Sequence, residues 1–382
     1  MSKTDGLEDT RHLLRILREA MQDPALSGSC SLLGEIFAAM AEEEGALSLL
    51  EEIPNWKVPG LMLSAALLFR AETQADHPLR PYLKEPAPPF DGAFRTAFRR
   101  SLTEDRSELS ALLARHTYQC NPPRRMAVSL LMAATVTKGW PSAWHIDVGT
   151  ASGIGLLLGE VRVVADGARI GPDDACLEYP LDLRGAPLEV AALSGPKIEC
   201  SIGIDLDPPN LREADCRAWM RACQFPIAKE LAFFDQAVEM LLERNPRIER
   251  GSATDLLPSL AREMPPGKPL IVTDTYVAVF MSEEVREQMR CELDAIAQVR
   301  PVVWISNNPL VPAGRAPDRT TAGTLIPPEL VERNRHELFG AVCVTTWPGG
   351  KRTPQLVGFN HPGGCWFEWR PDLAETVRVK AS

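Results

Sequence analysis

The chain has no Cys-x-x-Cys pair, no two histidines at i, i+4 spacing and no apolar stretch approaching the length of a membrane span. Each absence removes a class. Its nine cysteines (Cys30, Cys120, Cys176, Cys200, Cys216, Cys223, Cys291, Cys343, Cys365) are odd in number and scattered, which argues against a disulfide framework or structural zinc. The six histidines also lie far apart, so a metal site would have to be assembled from remote residues, and no metal is expected. The longest apolar run, Leu61 to Phe69, falls far short of the roughly 20 residues a bilayer demands. The acidic N-terminus has no signal-like apolar region, so a soluble, cytoplasmic protein without a membrane partner is expected. Positive charge is scarce as well: Lys+Arg 41 against Asp+Glu 51 gives a net charge of -10, which leaves no broad footprint for nucleic acid. What is present is ordinary globular composition, 45% hydrophobic and 24% charged over 382 residues, enough for two or three packed units.

The first third reads as helices. Leu13, Leu14, Ile16, Leu17, Ala20 and Met21 form one stripe at helical spacing, and Leu32, Leu33, Ile36, Phe37 and Met40 form another. A third helix is expected over 60–70, then a proline-rich loop over 77–90, then helices near 91–100 and 105–115. From about Met126 short apolar runs alternate with amphipathic segments, as in strands joined by crossover helices. Strands are expected at 143–148, 200–205, 247–251, 270–273 and 302–306, with helices at 213–222, 228–242 and 282–296. Segments 338–347, 355–359 and 365–369 read as antiparallel strands closing one edge. The stretch 156–199 does not fit a plain crossover: Val161–Val164 and Ala168–Ile170 flank Asp166-Gly167, a hairpin turn dipeptide, and Leu188–Ala192 reads as a further strand. The expected architecture is α/β: a doubly wound, mostly parallel Rossmann-like sheet (121–382) carrying that insertion and a C-terminal antiparallel hairpin, with an N-terminal helical cap (1–120).

Chemistry concentrates at two strand ends. Asp147-Val148-Gly149-Thr150-Ala151-Ser152-Gly153-Ile154-Gly155 follows an apolar strand, where glycines permit a tight turn and close approach of a ligand to the backbone. A plain tight connection would use the same residues. The spacing is neither the dinucleotide G-x-G-x-x-G nor a phosphate-binding G-x-x-x-x-G-K-[ST] loop. The second piece, Ile202-Gly203-Ile204-Asp205-Leu206-Asp207, ends a strand in an acid that can accept both hydroxyls of a ribose, or can cap an exposed helix instead.

These two segments resemble the first and second motifs of class I S-adenosylmethionine-dependent methyltransferases. The chain is further similar to a bacterial family of methyltransferase-like proteins of unknown function, through Gln119-Cys120-Asn121 with Arg125, Gly203-Ile204-Asp205 with Pro208, Trp219-Met220-Arg221-Ala222-Cys223 with Pro226, Gly251 to Pro258, and His361-Pro362-Gly363-Gly364 with Trp366 and Trp369. Together these cover most of the chain after about residue 100. Azetidine-2-carboxylate synthases, which cyclise the aminobutyrate arm of S-adenosylmethionine and release methylthioadenosine, belong with this resemblance. It implies that Asp147, Gly149, Thr150 and Gly153 line the methionine part of the cofactor, Asp205 and Leu206 the ribose side, and Ser252 and Ala253 the adenine. The gap from the glycine loop to Asp205 is longer than in that fold, and Ser252 stands where an acid is common.

Alkyl transfer from a sulfonium needs an aligned nucleophile and surroundings that tolerate positive charge. Aromatic faces supply the latter, so Trp140, Tyr179, Tyr276 and Trp304 are candidates by position, although large aromatics also fill cores. Gln119 and Asn121 can hold the amino-acid end of S-adenosylmethionine without adding charge, or Asn121 can cap a turn. Asn307 and Asp274, each after a central strand, lie at the edge where open α/β sheets bind ligands. Asn121-Pro122-Pro123 also resembles a motif of nucleic-acid amino-methyltransferases, but it precedes the first strand here. The expected activity is a small-molecule reaction using S-adenosylmethionine, first its intramolecular cyclisation. A methyltransferase for a small acceptor and a non-catalytic S-adenosylmethionine-binding protein are the alternatives.

Overall fold

The computed structural model describes residues 3–23, 30–310 and 319–373. Two compact units form, Met1–Pro122 with Asn210–Asp235, and Pro123–Pro209 with Gln236–Ser382. The first is helical: α1 (Lys3–Ala20), α2 (Ser31–Glu42), α3 (Glu44–Glu52), α4 (Pro59–Thr73), α5 (Gly92–Glu104) and α6 (Arg106–Arg115). Helix α4 is apolar on all sides, with Met62 through Leu68 buried, and so serves as the axis on which the others lay a single stripe. The next helix, α7 (Arg125–Val136), belongs to the second unit, and residues 210–235 return to the first with α8 (Ala214–Ala222) and the start of α9 (Ala228–Arg244). Trp219 fastens this return: its indole donates to Thr117 O at 3.0 Å and its ring stacks on His116 at 4.3 Å.

The second unit is built on a nine-stranded sheet. Its parallel part comprises β1 (Ser142–Val148), β6 (Lys197–Asp205), β7 (Arg247–Arg250), β8 (Leu270–Thr275) and β9 (Val302–Pro309). They lie in the order β7-β6-β1-β8-β9, which among themselves is 3-2-1-4-5, the doubly wound arrangement whose order reverses between β1 and β8. Helices α10 (Ala253–Glu263) and α11 (Glu283–Ala297) cross between successive strands. Beyond β9, β10 (Gly340–Thr346), β11 (Thr353–Asn360) and β12 (Trp366–Trp369) continue the sheet antiparallel, as the late apolar runs imply, and a short α12 (Pro328–Asn334) precedes them.

The insertion replaces the first crossover helix. Residues 161–180 form the expected hairpin, β2 (Val161–Ala165) and β3 (Ala168–Ile170), with Asp166 and Gly167 both at positive φ, and β4 (Leu177–Pro180) joins them in a separate three-stranded sheet. Next comes β5 (Asp182–Gly185), which pairs with β12 and forms the outer edge of the large sheet. Leu188–Ala192 is not a strand. Val190 N bonds to Leu188 O and Ala192 N to Glu189 O, which curls the segment into a 3-10 turn and buries Val190. Among the described residues, no helix is long and apolar enough to cross a membrane.

Candidate functional site

Parallel strands deliver their carboxyl ends to one edge, and the order reversal between β1 and β8 leaves a crevice there. The loop Gly149–Gly153 lies at this crevice and is tied to the end of β6. Gly149 N and Thr150 N donate to Ile204 O at 2.8 and 3.1 Å, and Gly153 N to Thr150 O. Gly149 sits at φ +67 with Val277 directly against it, so a side chain is excluded twice over. With the Gly149, Thr150, Ala151 and Gly153 amides already taken, the loop is a shaped wall rather than a phosphate cradle.

Asp205 does the anchoring. One carboxylate oxygen accepts Ala151 N at 2.8 Å and the other accepts Asp207 N at 2.9 Å. The carboxylate is half-buried, and each oxygen has a second lone pair for a hydroxyl. Leu206 follows with 75% of its surface exposed, an apolar side chain at the end of β6. On the next strand end Ser252 bonds the Thr254 hydroxyl at 2.7 Å, and Ala253 is buried.

Asp147 lies beneath the loop. It accepts the Thr273 hydroxyl at 2.6 Å, which obliges Thr273 to accept from His145 Nε2 at 2.8 Å, fixing that histidine's tautomer. Burial pushes the Asp147 carboxyl up to about 6 and the His145 imidazole down to about 3. A folded-state carboxyl raised from 3.8 to about 6 stays protonated where the unfolded chain has already ionised, so this group's contribution to stability falls as pH rises between those values. Above that window the full cost is about 3 kcal/mol. Asp147→Asn should therefore gain stability relative to wild type between pH 4 and pH 7.5, measured by urea unfolding at each pH. A gap independent of pH would show that the carboxyl is not perturbed.

Asp274 is committed to the fold. Three alternate side chains of β9 converge on it: Trp304 Nε1 donates at 2.6 Å, Ser306 Oγ at 3.3 Å, and Asn308 Nδ2 completes the set. Burial raises this carboxyl also to about 6. Trp304 is thus a core residue that holds Asp274, and the aromatic that reaches the site edge is Tyr276, half-buried and at φ +59, its N–H on Asn307 O. The Arg125 guanidinium lies over the Tyr276 ring at 3.9 Å and donates to Pro362 O at 2.5 Å. The distant motifs Arg125 and His361-Pro362-Gly363-Gly364 therefore meet, with Arg125 over Tyr276, which no local pattern announces.

The remaining candidates separate. Trp140 precedes the amino end of β1, roughly 20 Å of strand from the glycine loop, and is not brought to this edge. A residue just before a parallel strand lies at that strand's amino end, opposite the edge where ligands bind. Tyr179 is fully buried in β4, next to Pro180, whose carbonyl accepts from Arg124. Gln119 and Asn121 belong to the helical unit, half-buried in the irregular stretch after α6. Sequence reasoning missed Asn360, at the end of β11 and fully buried; a lone asparagine closing an apolar strand just before His361-Pro362 was the available signal.

The sequence profile of a family described as an uncharacterized protein conserved in bacteria, DUF2332, matches residues 18–369. The chain belongs to the DUF2332 family. No curated protein matches the sequence. The DUF2332 match spans both the helical unit and the nine-stranded sheet, and includes Arg125, Tyr276 and the 361–364 turn that meet at this edge.

Proposed function

We propose that the protein binds S-adenosylmethionine at the carboxyl edge of β1, β6 and β8 and catalyses attack of the α-amine on the γ-carbon of that molecule. The C–N bond forms as the C–S bond breaks, the electron pair leaves on the sulfur of methylthioadenosine, and the amine proton passes to solvent, giving azetidine-2-carboxylate. The observation that carries the nucleoside part is the pair Asp205 and Leu206. A half-buried carboxylate with lone pairs to spare stands beside an apolar side chain that is 75% exposed, which suits a ribose followed by an adenine face. The glycine loop without a phosphate cradle fits an adenosyl compound better than a nucleotide. The resemblance of the same segments to methyltransferases supplies the sulfonium.

Purified protein incubated with S-adenosylmethionine alone should yield methylthioadenosine and a cyclic amino acid in equal amounts, read by mass spectrometry. S-adenosylhomocysteine formed only with an added acceptor would replace cyclisation by methyl transfer. Binding without any product would leave a non-catalytic S-adenosylmethionine-binding protein.

A further inference from the structure

Asn307 and Asn360 are 1% and 0% exposed, and among the described residues neither the oxygen nor the nitrogen of either amide has a hydrogen-bond partner. Buried carboxamides are ordinarily satisfied, and leaving one unsatisfied costs roughly 1–3 kcal/mol. The neighbouring Asn308 shows the ordinary case, its Nδ2 on Asp274 and its Oδ1 accepting Val279 N at 3.3 Å. The two empty-handed amides meet at one place. Gly340, the first residue of β10, lies opposite Asn360 in the register, and a Cβ added to it would stand 2.6 Å from Asn307 Oδ1, 2.9 Å from the Tyr276 hydroxyl oxygen and in collision with Asn360 Oδ1. Gly340 is not at positive φ, so its backbone does not call for glycine; what the missing side chain permits is the convergence of these three oxygens on the β10 backbone.

We infer that Asn307, Asn360 and Tyr276, where they converge over Gly340, hold the ammonium and carboxylate of an α-amino acid. The side chains of Asn307, Asn360 and Tyr276 carry donors and acceptors and no formal charge of their own, and the Arg125 guanidinium lies over the Tyr276 ring. A zwitterion suits this lining, with N–H groups for the amide oxygens and carboxylate oxygens for the amide nitrogens. Val277, which packs on Gly149, directly follows Tyr276, so the cluster adjoins the glycine loop. In the S-adenosylmethionine reading, on which this assignment rests, the occupant is the aminobutyrate arm, and the amides position the nitrogen, which attacks once the ammonium has given one proton to solvent.

The test is calorimetric titration of wild type, Gly340→Ala and Asn360→Ala with S-adenosylmethionine and with methylthioadenosine, which keeps the adenosine and lacks the arm. Gly340→Ala crowds the three oxygens, while Asn360→Ala removes one amide without any clash, so misfolding of the first leaves the second. Both variants should weaken S-adenosylmethionine tenfold or more and leave methylthioadenosine within twofold. Equal losses for the two compounds, or no loss for either, would show that the cluster does not hold the arm, with the nucleoside reading intact. A wild type that binds neither compound would overturn the nucleoside reading and this assignment together.

Discussion

Asp205→Ala should weaken S-adenosylmethionine binding by about a hundredfold, the largest loss expected of any single side chain at the crevice. A carboxylate bonded to two ribose hydroxyls contributes on the order of 1.5–3 kcal/mol per charge-assisted bond, and partial compensation by water leaves about 2.7 kcal/mol, the equivalent of a hundredfold. The same substitution releases Ala151 N and Asp207 N, so the glycine loop and the turn carrying Leu206 loosen together. Asp205→Asn separates the two effects, because its amide oxygen can still accept one of these amides while the charge is gone. Titration calorimetry with methylthioadenosine and S-adenosylmethionine, paired with thermal melting, reads both. Unchanged affinity for both ligands in folded Asp205→Ala protein would remove the ribose assignment.

Gly364→Ala should strongly destabilise the sheet unit. The residue sits at φ +75, and an added Cβ would lie 2.6 Å from the Arg124 carbonyl carbon and the Arg125 nitrogen, which are backbone and cannot swing aside. Left-handed backbone costs a residue with a Cβ about 1–2 kcal/mol, and overpacking adds roughly 1–3 kcal/mol. A fall in melting temperature of roughly 10 °C is expected. Gly267→Ala is the control: φ is +68 there but nothing lies within 4 Å, so only the backbone cost applies, about 3 °C. Equal effects of the two would show that the 361–364 turn does not press on the start of α7.

Sequence was informative where burial imposes a period. The central strands appear as apolar runs because both faces are covered, and the hairpin at 161–170 shows in its Asp166-Gly167 turn. Helix α7 escaped notice for the opposite reason: Met126 to Ala134 are buried all round, so no stripe distinguishes helix from strand. β5 was missed because Asp182-Leu183-Arg184-Gly185 is a largely polar edge strand, its pairing supplied by remote residues. At the site, the strand ends Asp147, Asp205 and Asn307 are legible because loops after parallel strands must gather at one edge. Which of them face a ligand is not, since Asp274 and Trp304 satisfy each other within the fold while Asn307, one residue from Asn308, points to the opposite face.

The pairing of β5 with β12 also bears on synthesis. The two strands are separated by nearly half of the sequence, so β5 emerges from the ribosome long before the segment that covers it. During that interval β5 presents an unpaired edge, joined at its end by that of β11, the condition under which strands join the wrong partner. The nine-stranded sheet is therefore completed by the last described strand made, which bridges β11 and β5, and a nascent chain stopped before Trp366 leaves both of them unpaired on that side.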